Sequence, residues 1–321
     1  MRRRHDGLPY ANFSLPLNVL MRPQESFITS THGVSPRQAA RALGASESAV
    51  KRWCDQGLLP LVRTPGGHRR IPVPAVLGFA RERGRALRDG SALIAGETAT
   101  PKPLGAARAE LRRGLVRGDR DAVQATLESQ WLGGRSVDVL CDEVVAPVFA
   151  EIGERWARGS LEIYEEHGAS QLLRRCLDDL GARLSPPARN APRAIGGTLE
   201  HDPYGIPTAM AELVLQERGF DARSLGTGLP AATIARAIAD LQPRLVWLAV
   251  GTCDDERRFV AECGAVERAA KAVGAALVVG GRALVPSLRR KLRYSAFCDG
   301  MSQLAAFADA LVPRASAGSK R

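Results

Sequence analysis

The chain has 321 residues, 45% of them apolar, and a formal net charge of +11 at pH 7. That length exceeds one ordinary domain and accommodates two or three packed cores, while the apolar fraction excludes a disordered polymer. No run approaches about 18 consecutive apolar residues, which excludes a membrane-spanning helix.

The charge is unevenly spread. Residues 1–90 hold 15 Lys and Arg against 6 Asp and Glu, which is +9 of the total +11. A cationic head on a nearly neutral body is the electrostatic footprint of a polyanion binder, whereas a merely soluble surface spreads its charge. Arg2-Arg3-Arg4-His5 is followed by no apolar core of about 7–15 residues, so no secretory signal is expected. Six cysteines (Cys54, Cys141, Cys176, Cys253, Cys263 and Cys298) form no CxxC and share no short spacing. Neither zinc nor a disulfide framework is expected, and reduced thiols in a cytoplasm are.

In chain order, residues 1–28 read as a flexible N-terminus and 29–88 as a compact helical head. Ser35-Pro36 is a helix start, a hydroxyl cap followed by a residue whose missing N–H costs nothing. Ala39, Ala40 and Leu43 form the inward stripe, Gly44 permits a turn, and Ser46 caps a second helix over residues 47–56. There Val50 and Trp53 face inward, which leaves Ser48, Lys51 and Arg52 outside as donors for a major groove. Arg63-Thr64-Pro65-Gly66-Gly67-His68-Arg69-Arg70 then reads as a β-hairpin wing whose cations reach phosphates. The candidate DNA contacts are therefore Ser46, Ser48, Lys51, Arg52, Arg63, Thr64, His68, Arg69 and Arg70. This run resembles the winged helix-turn-helix of MerR-type and excisionase-like regulators. That resemblance implies double-stranded operator DNA as partner and a homo-oligomer, dimer or tetramer, that reads paired half-sites.

Residues 89–105 read as a linker rich in Gly, Ala, Thr and Pro. Helical spacing without strand-like runs over 106–184 predicts a four-helix-bundle-like cap. A second linker, 185–193, contains Pro186-Pro187 and Pro192. From 194 to 313 short apolar runs near 194–199, 222–225, 245–250, 275–279 and 295–298 alternate with helices. That alternation predicts a flavodoxin-like, five-stranded parallel sheet with ligands at the carboxyl ends of its strands. Residues 314–321 read as a tail.

Within the cap, Trp156 is followed after nine residues by Glu166-His167. This W-x9-EH pattern resembles the helical cap of cobalamin-binding photoreceptors and regulators, in which the Trp and the Glu-His pair cover the upper face of the corrinoid around its adenosyl group. Residues 106–312 as a whole resemble the cap plus cobalamin-binding domain of B12-dependent regulators and of the methionine synthase family. The resemblance implies adenosylcobalamin as cofactor, and a D-x-H-x-x-G motif whose His is the lower cobalt ligand. Here that motif reads Asp202-Pro203-Tyr204-Gly205-Ile206-Pro207, without the His. The family's S-x-L falls on Ala249-Val250-Gly251, and its glycine pair on Gly280-Gly281, so the dimethylbenzimidazole slot is expected with two polar contacts gone. A phenol keeps its proton at neutral pH, so Tyr204 is a poor cobalt ligand. His201, one residue before the motif, is a weak candidate for that role. Ala157 stands where light-responsive members place a second His.

Three readings follow. One is a DNA-binding regulator whose sensor takes cobalamin through Trp156, Glu166, His167, Asp202, Tyr204, Gly280 and Gly281, or takes a replacement ligand. The second is a DNA-binding protein that uses its C-terminal half for assembly alone. The third, a corrinoid carrier or enzyme subunit, predicts an intact D-x-H-x-x-G and no DNA-binding head. No nucleophile–base pairing, P-loop or metalloprotease signature supports an enzyme.

Overall fold

The computed structural model describes residues 33–63, 69–83, 88, 90–93 and 101–311. The predicted flexible N-terminus, the tail, and Thr64 and His68 of the predicted wing lie outside the described residues.

The head opens with a short strand, β1 (Gly33–Val34). Ser35 then caps α1 (Pro36–Leu43): its hydroxyl accepts from the Gln38 amide at 3.3 Å, and Gln38 Oε1 accepts from the Ser35 amide at 2.9 Å. This reciprocal pair satisfies two otherwise orphaned donors at the helix start. Gly44 ends the helix in the left-handed region, φ 60°, where a side chain is strained. Ser46 accepts from the Ala49 amide at 3.2 Å and starts α2 (Glu47–Asp55). β2 (Val62–Arg63) and β3 (Arg69–Pro72) pair antiparallel, Val62 opposite Arg70, and β1 joins β3 on its other side. α3 (Val73–Glu82) closes the head over Val76 and Phe79.

The stretch from residue 89 is not wholly a linker. A 3-10 turn, Gly90–Leu93, buries Ala92 and Leu93 in the head core, where Leu132 of the bundle also packs. Composition misses this, because two apolar side chains among Gly, Ser and Thr carry no periodicity.

The cap is built from α4 (Leu104–Arg117), α5 (Arg120–Leu132), α6 (Val137–Leu140), α7 (Ala146–Ala157) and α8 (Ile163–Gly181). A π-helical turn, Cys141–Val145, splices α6 into α7, so the bundle has four rods. From that turn Asp142 accepts the Met301 and Ser302 amides at 2.7 and 2.8 Å. It thereby caps the helix that begins at Met301.

The last domain runs β4 (Arg193–Gly197), α9 (Gly205–Glu217), β5 (Asp221–Ser224), α10 (Ala231–Leu241), β6 (Leu245–Ala249), α11 (Glu256–Ala272), β7 (Ala276–Gly280), α12 (Pro286–Arg289), β8 (Ala296–Cys298) and α13 (Met301–Leu311). Every pairing is parallel and the strand order is β5-β4-β6-β7-β8, the flavodoxin-like order 2-1-3-4-5. β6 is buried along its whole length. Leu245 and Trp247 face the core shared by α9, α13 and the bundle, and Val246, Leu248 and Val250 face the core under α10 and α11. Strand alternation thus sorts one strand into two cores. Polar ties join bundle to sheet: Glu217 accepts from the Val137 amide at 2.9 Å, and Arg218 pairs with Asp138 at 2.6 Å and Asp309 at 3.0 Å.

Candidate functional site

Two regions hold the predicted site residues. On α2, Ser48, Lys51, Arg52 and Asp55 are exposed and Val50 is fully buried. At about 100° per residue the four exposed positions share one stripe, opposite the side that Val50 and Trp53 send into the core. Trp53 is fixed by Phe79, ring centroids 4.7 Å apart. Lys51 pairs with Glu47 at 2.8 Å, and this hydrogen bond, with a smaller contribution from Arg37, lowers the Glu47 carboxyl below its ordinary range. Arg37, exposed on α1, was not singled out in the sequence, where it is one more helical cation. Arg69 and Arg70 are half-buried on β3, and Arg69 lies 3.5 Å from Asp55 at the end of α2. Helix and wing are therefore adjacent, with Ser46 exposed at the helix start. Arg63 pairs with Arg69 in the hairpin register. Such a surface has donors and cations spaced along a helix that one groove can admit.

The second region is the cap and the carboxyl edge of the large sheet. Trp156 lies at the end of α7, 45% exposed, and Ile163 and Tyr164 at the start of α8 are 59% and 74% exposed. A contiguous apolar surface marks a ligand or partner site more often than scattered exposed side chains do. Glu166 accepts from the Ser170 hydroxyl at 2.9 Å. His167 Nδ1 lies 2.8 Å from the Ile163 carbonyl and 3.8 Å from Glu166.

The carboxyl ends of β4 and β6 form the switch point of the sheet, the usual ligand crevice of this topology. Asp202 is buried there. Its carboxylate accepts from the Tyr204 amide at 3.1 Å and from the Gly251 amide at 2.6 Å, and burial pushes its carboxyl above the ordinary range despite these donors. It ties the loop after β4 to the loop after β6. Tyr204, 38% exposed, packs its ring on Gly251, where a Cβ would come within 2.7 Å of the ring. The Arg282 guanidinium lies 4.9 Å from the ring centroid and its Nε donates to the Gly251 carbonyl at 3.0 Å. Arg282 too was not anticipated, because it follows the glycine pair in a loop with no pattern. His201 is exposed on a left-handed turn, φ 71°.

The glycine pair has a reason within the chain. A Cβ on Gly280 would lie 2.6 Å from the Cys298 carbonyl, and one on Gly281, φ 129°, would enter the Val250 backbone. Upstream in β6, Trp247 is 2% exposed and its Nε1 donates to the Thr208 hydroxyl of α9 at 2.9 Å. Its indole lies on Gly196 of β4, where a Cβ would collide with the ring. The residues present fit a corrinoid unevenly: the cap offers it an exposed indole, and the sheet edge offers no imidazole in the D-x-H-x-x-G position. Two surface cavities, about 570 and 460 Å3, open on the amino-terminal edge of the sheet and between α8, α9 and β5. None of the predicted site residues lines either one. No helix among the described residues is long and apolar enough to cross a membrane.

Residues 34–84 match the helix-turn-helix domain family and residues 107–180 the B12 binding domain family. The HTH-type transcriptional repressor CarH of Myxococcus xanthus is 26% identical to the chain over 230 residues, 65% of this chain and 76% of that protein. The HTH-type transcriptional repressor CarA of the same organism is 27% identical over 227 residues, 66% and 74% of the two chains. Among solved structures, the Methanosarcina barkeri monomethylamine corrinoid protein superposes with a TM-score of 0.54 at 12% identity, over 64% of this chain and 98% of that one, which speaks for the fold. The chain thus joins a helix-turn-helix domain to a B12 binding domain and is a homologue of two transcriptional repressors.

Proposed function

We propose that this chain is a cytoplasmic, non-enzymatic transcription regulator of MerR type, in which α2 and the wing grip operator DNA and the cap-plus-sheet module senses a flat ligand of corrinoid class. The observation that carries the reading is the α2 stripe: Ser48, Lys51 and Arg52 stand exposed on a capped helix, beside a hairpin that brings Arg69 and Arg70 alongside. Helix donors read base edges, and wing cations hold phosphates without reading sequence. The exposed Trp156, Ile163 and Tyr164 supply the flat apolar seat for the ligand, and Glu166 and His167 supply polar contacts at its rim. A ligand seated there changes operator affinity only through a difference in its affinity for two packings of the module. One head covers a single half-site, so the operator-bound form is a homo-oligomer, dimer or tetramer.

The test is an anisotropy titration of the full-length protein on operator DNA selected from a random duplex library, at two salt concentrations, with and without adenosylcobalamin. Affinity is expected to fall with salt, and each of Arg52→Ala, Arg69→Ala and Arg70→Ala that removes a phosphate contact is expected to flatten the logarithmic salt slope by about 1. Unchanged affinity and slope in the triple variant would overturn the DNA reading. Operator binding indifferent to adenosylcobalamin would leave the C-terminal half to a replacement ligand or to assembly alone.

A further inference from the structure

Trp247 stands in the middle of β6, upstream of the switch point, and nothing in the DNA-binding reading uses it. Its indole is a fused six- and five-membered ring, pressed on Gly196 of β4 and hydrogen-bonded to Thr208 of α9, whose hydroxyl lies 3.1 Å from Ser224 at the end of β5. Gly196 is required for this, since any Cβ there collides with the ring. The indole N–H, which a buried Trp must satisfy, has its partner. Ala249, two residues on and on the same face of the strand, adds no polar group, and Tyr204 above it is pinned between Gly251 and Arg282. The space between the sheet and α9 is thus closed by a side chain of the same ring size as the benzimidazole that ends the nucleotide tail of cobalamin.

We infer that Trp247 supplies from within the chain the bicyclic ring that a displaced corrinoid tail would otherwise insert, so that this module takes a corrinoid only without a tail or with its own base kept on cobalt. The inference rests on the corrinoid reading for its ligand, and on β4, β6 and α9 for its geometry. A displaced tail would have to eject a fully packed indole and leave the Thr208 hydroxyl without its donor, whereas a tailless ring under the cap disturbs neither.

Equilibrium dialysis of the full chain against adenosylcobalamin and against adenosylcobinamide, which lacks the nucleotide tail, tests this. The parent is expected to hold cobinamide at least as tightly as cobalamin, and bound cobalamin is expected to keep its base-on absorbance. Trp247→Ala, checked for cooperative unfolding, is expected to tighten cobalamin by about tenfold and leave cobinamide within roughly threefold. A parent that prefers cobalamin by about tenfold, or that binds it with a base-off spectrum, would overturn the inference. If the parent binds neither corrinoid, the ligand reading fails. The plug is then judged by a folded Trp247→Ala, Tyr204→His double variant: acquired cobalamin binding keeps it, and continued absence removes it.

Discussion

The two sides of the candidate ligand site treat their aromatic residues in opposite ways. At the cap Trp156, Ile163 and Tyr164 are 45%, 59% and 74% exposed. On the sheet side Trp247 is buried within β6, Asp202 ties two loops together, and Gly280 and Gly281 are consumed by close backbone approach. On the reading proposed above, the cap half stays exposed to a ligand, and most of the sheet half is packed within the chain. A single exposed apolar side chain needs no special reason, whereas an apolar patch points to a ligand or partner.

Stability measurements can break this contrast. Trp247→Ala removes a whole buried ring and is expected to cost about 3–5 kcal/mol in urea unfolding. A cost below about 1 kcal/mol would mean that the indole does not fill the space between sheet and α9. A smaller, pH-dependent difference is expected at Asp202. Burial raises its carboxyl in the folded chain, so between the unfolded value of about 3.9 and that raised value the folded state holds a proton the unfolded chain has released. Stability from this group is present below that window and lost as pH rises through it. Asp202→Asn should remove that part of the slope, and Glu212 and Glu217, raised by burial as well, remain equal in both proteins. Parallel stability–pH curves for parent and variant would contradict a raised carboxyl at Asp202. The smallest effect belongs to Trp156→Ala, expected within about 0.5 kcal/mol of the parent. A larger loss would make Trp156 a structural residue and the two sides alike.

Much of this molecule was legible in its sequence because the signals are local. Ser35-Pro36 and Ser46 cap helices by contacts three residues away, Gly44 permits the turn that it makes in the left-handed region, and the continuous apolar run along 245–250 marks a buried strand. Five apolar runs separated by helices fix the number of strands and, through short right-handed crossovers, a parallel sheet. The exposed face of α2 follows from 3.6-residue periodicity alone.

What only the tertiary structure decided involves residues far apart in the chain. Gly196 and Trp247 meet because β4 and β6 are neighbours in register, and Asp142 reaches α13 across 159 positions. Ala92 and Leu93 join the head core from a stretch whose composition reads as a linker. A motif line such as Asp202-Pro203-Tyr204 names residue types but not whether a ring elsewhere already fills the space beneath them. Periodicity reports which side of its own element a residue faces, and the partner it meets there is set by packing between elements.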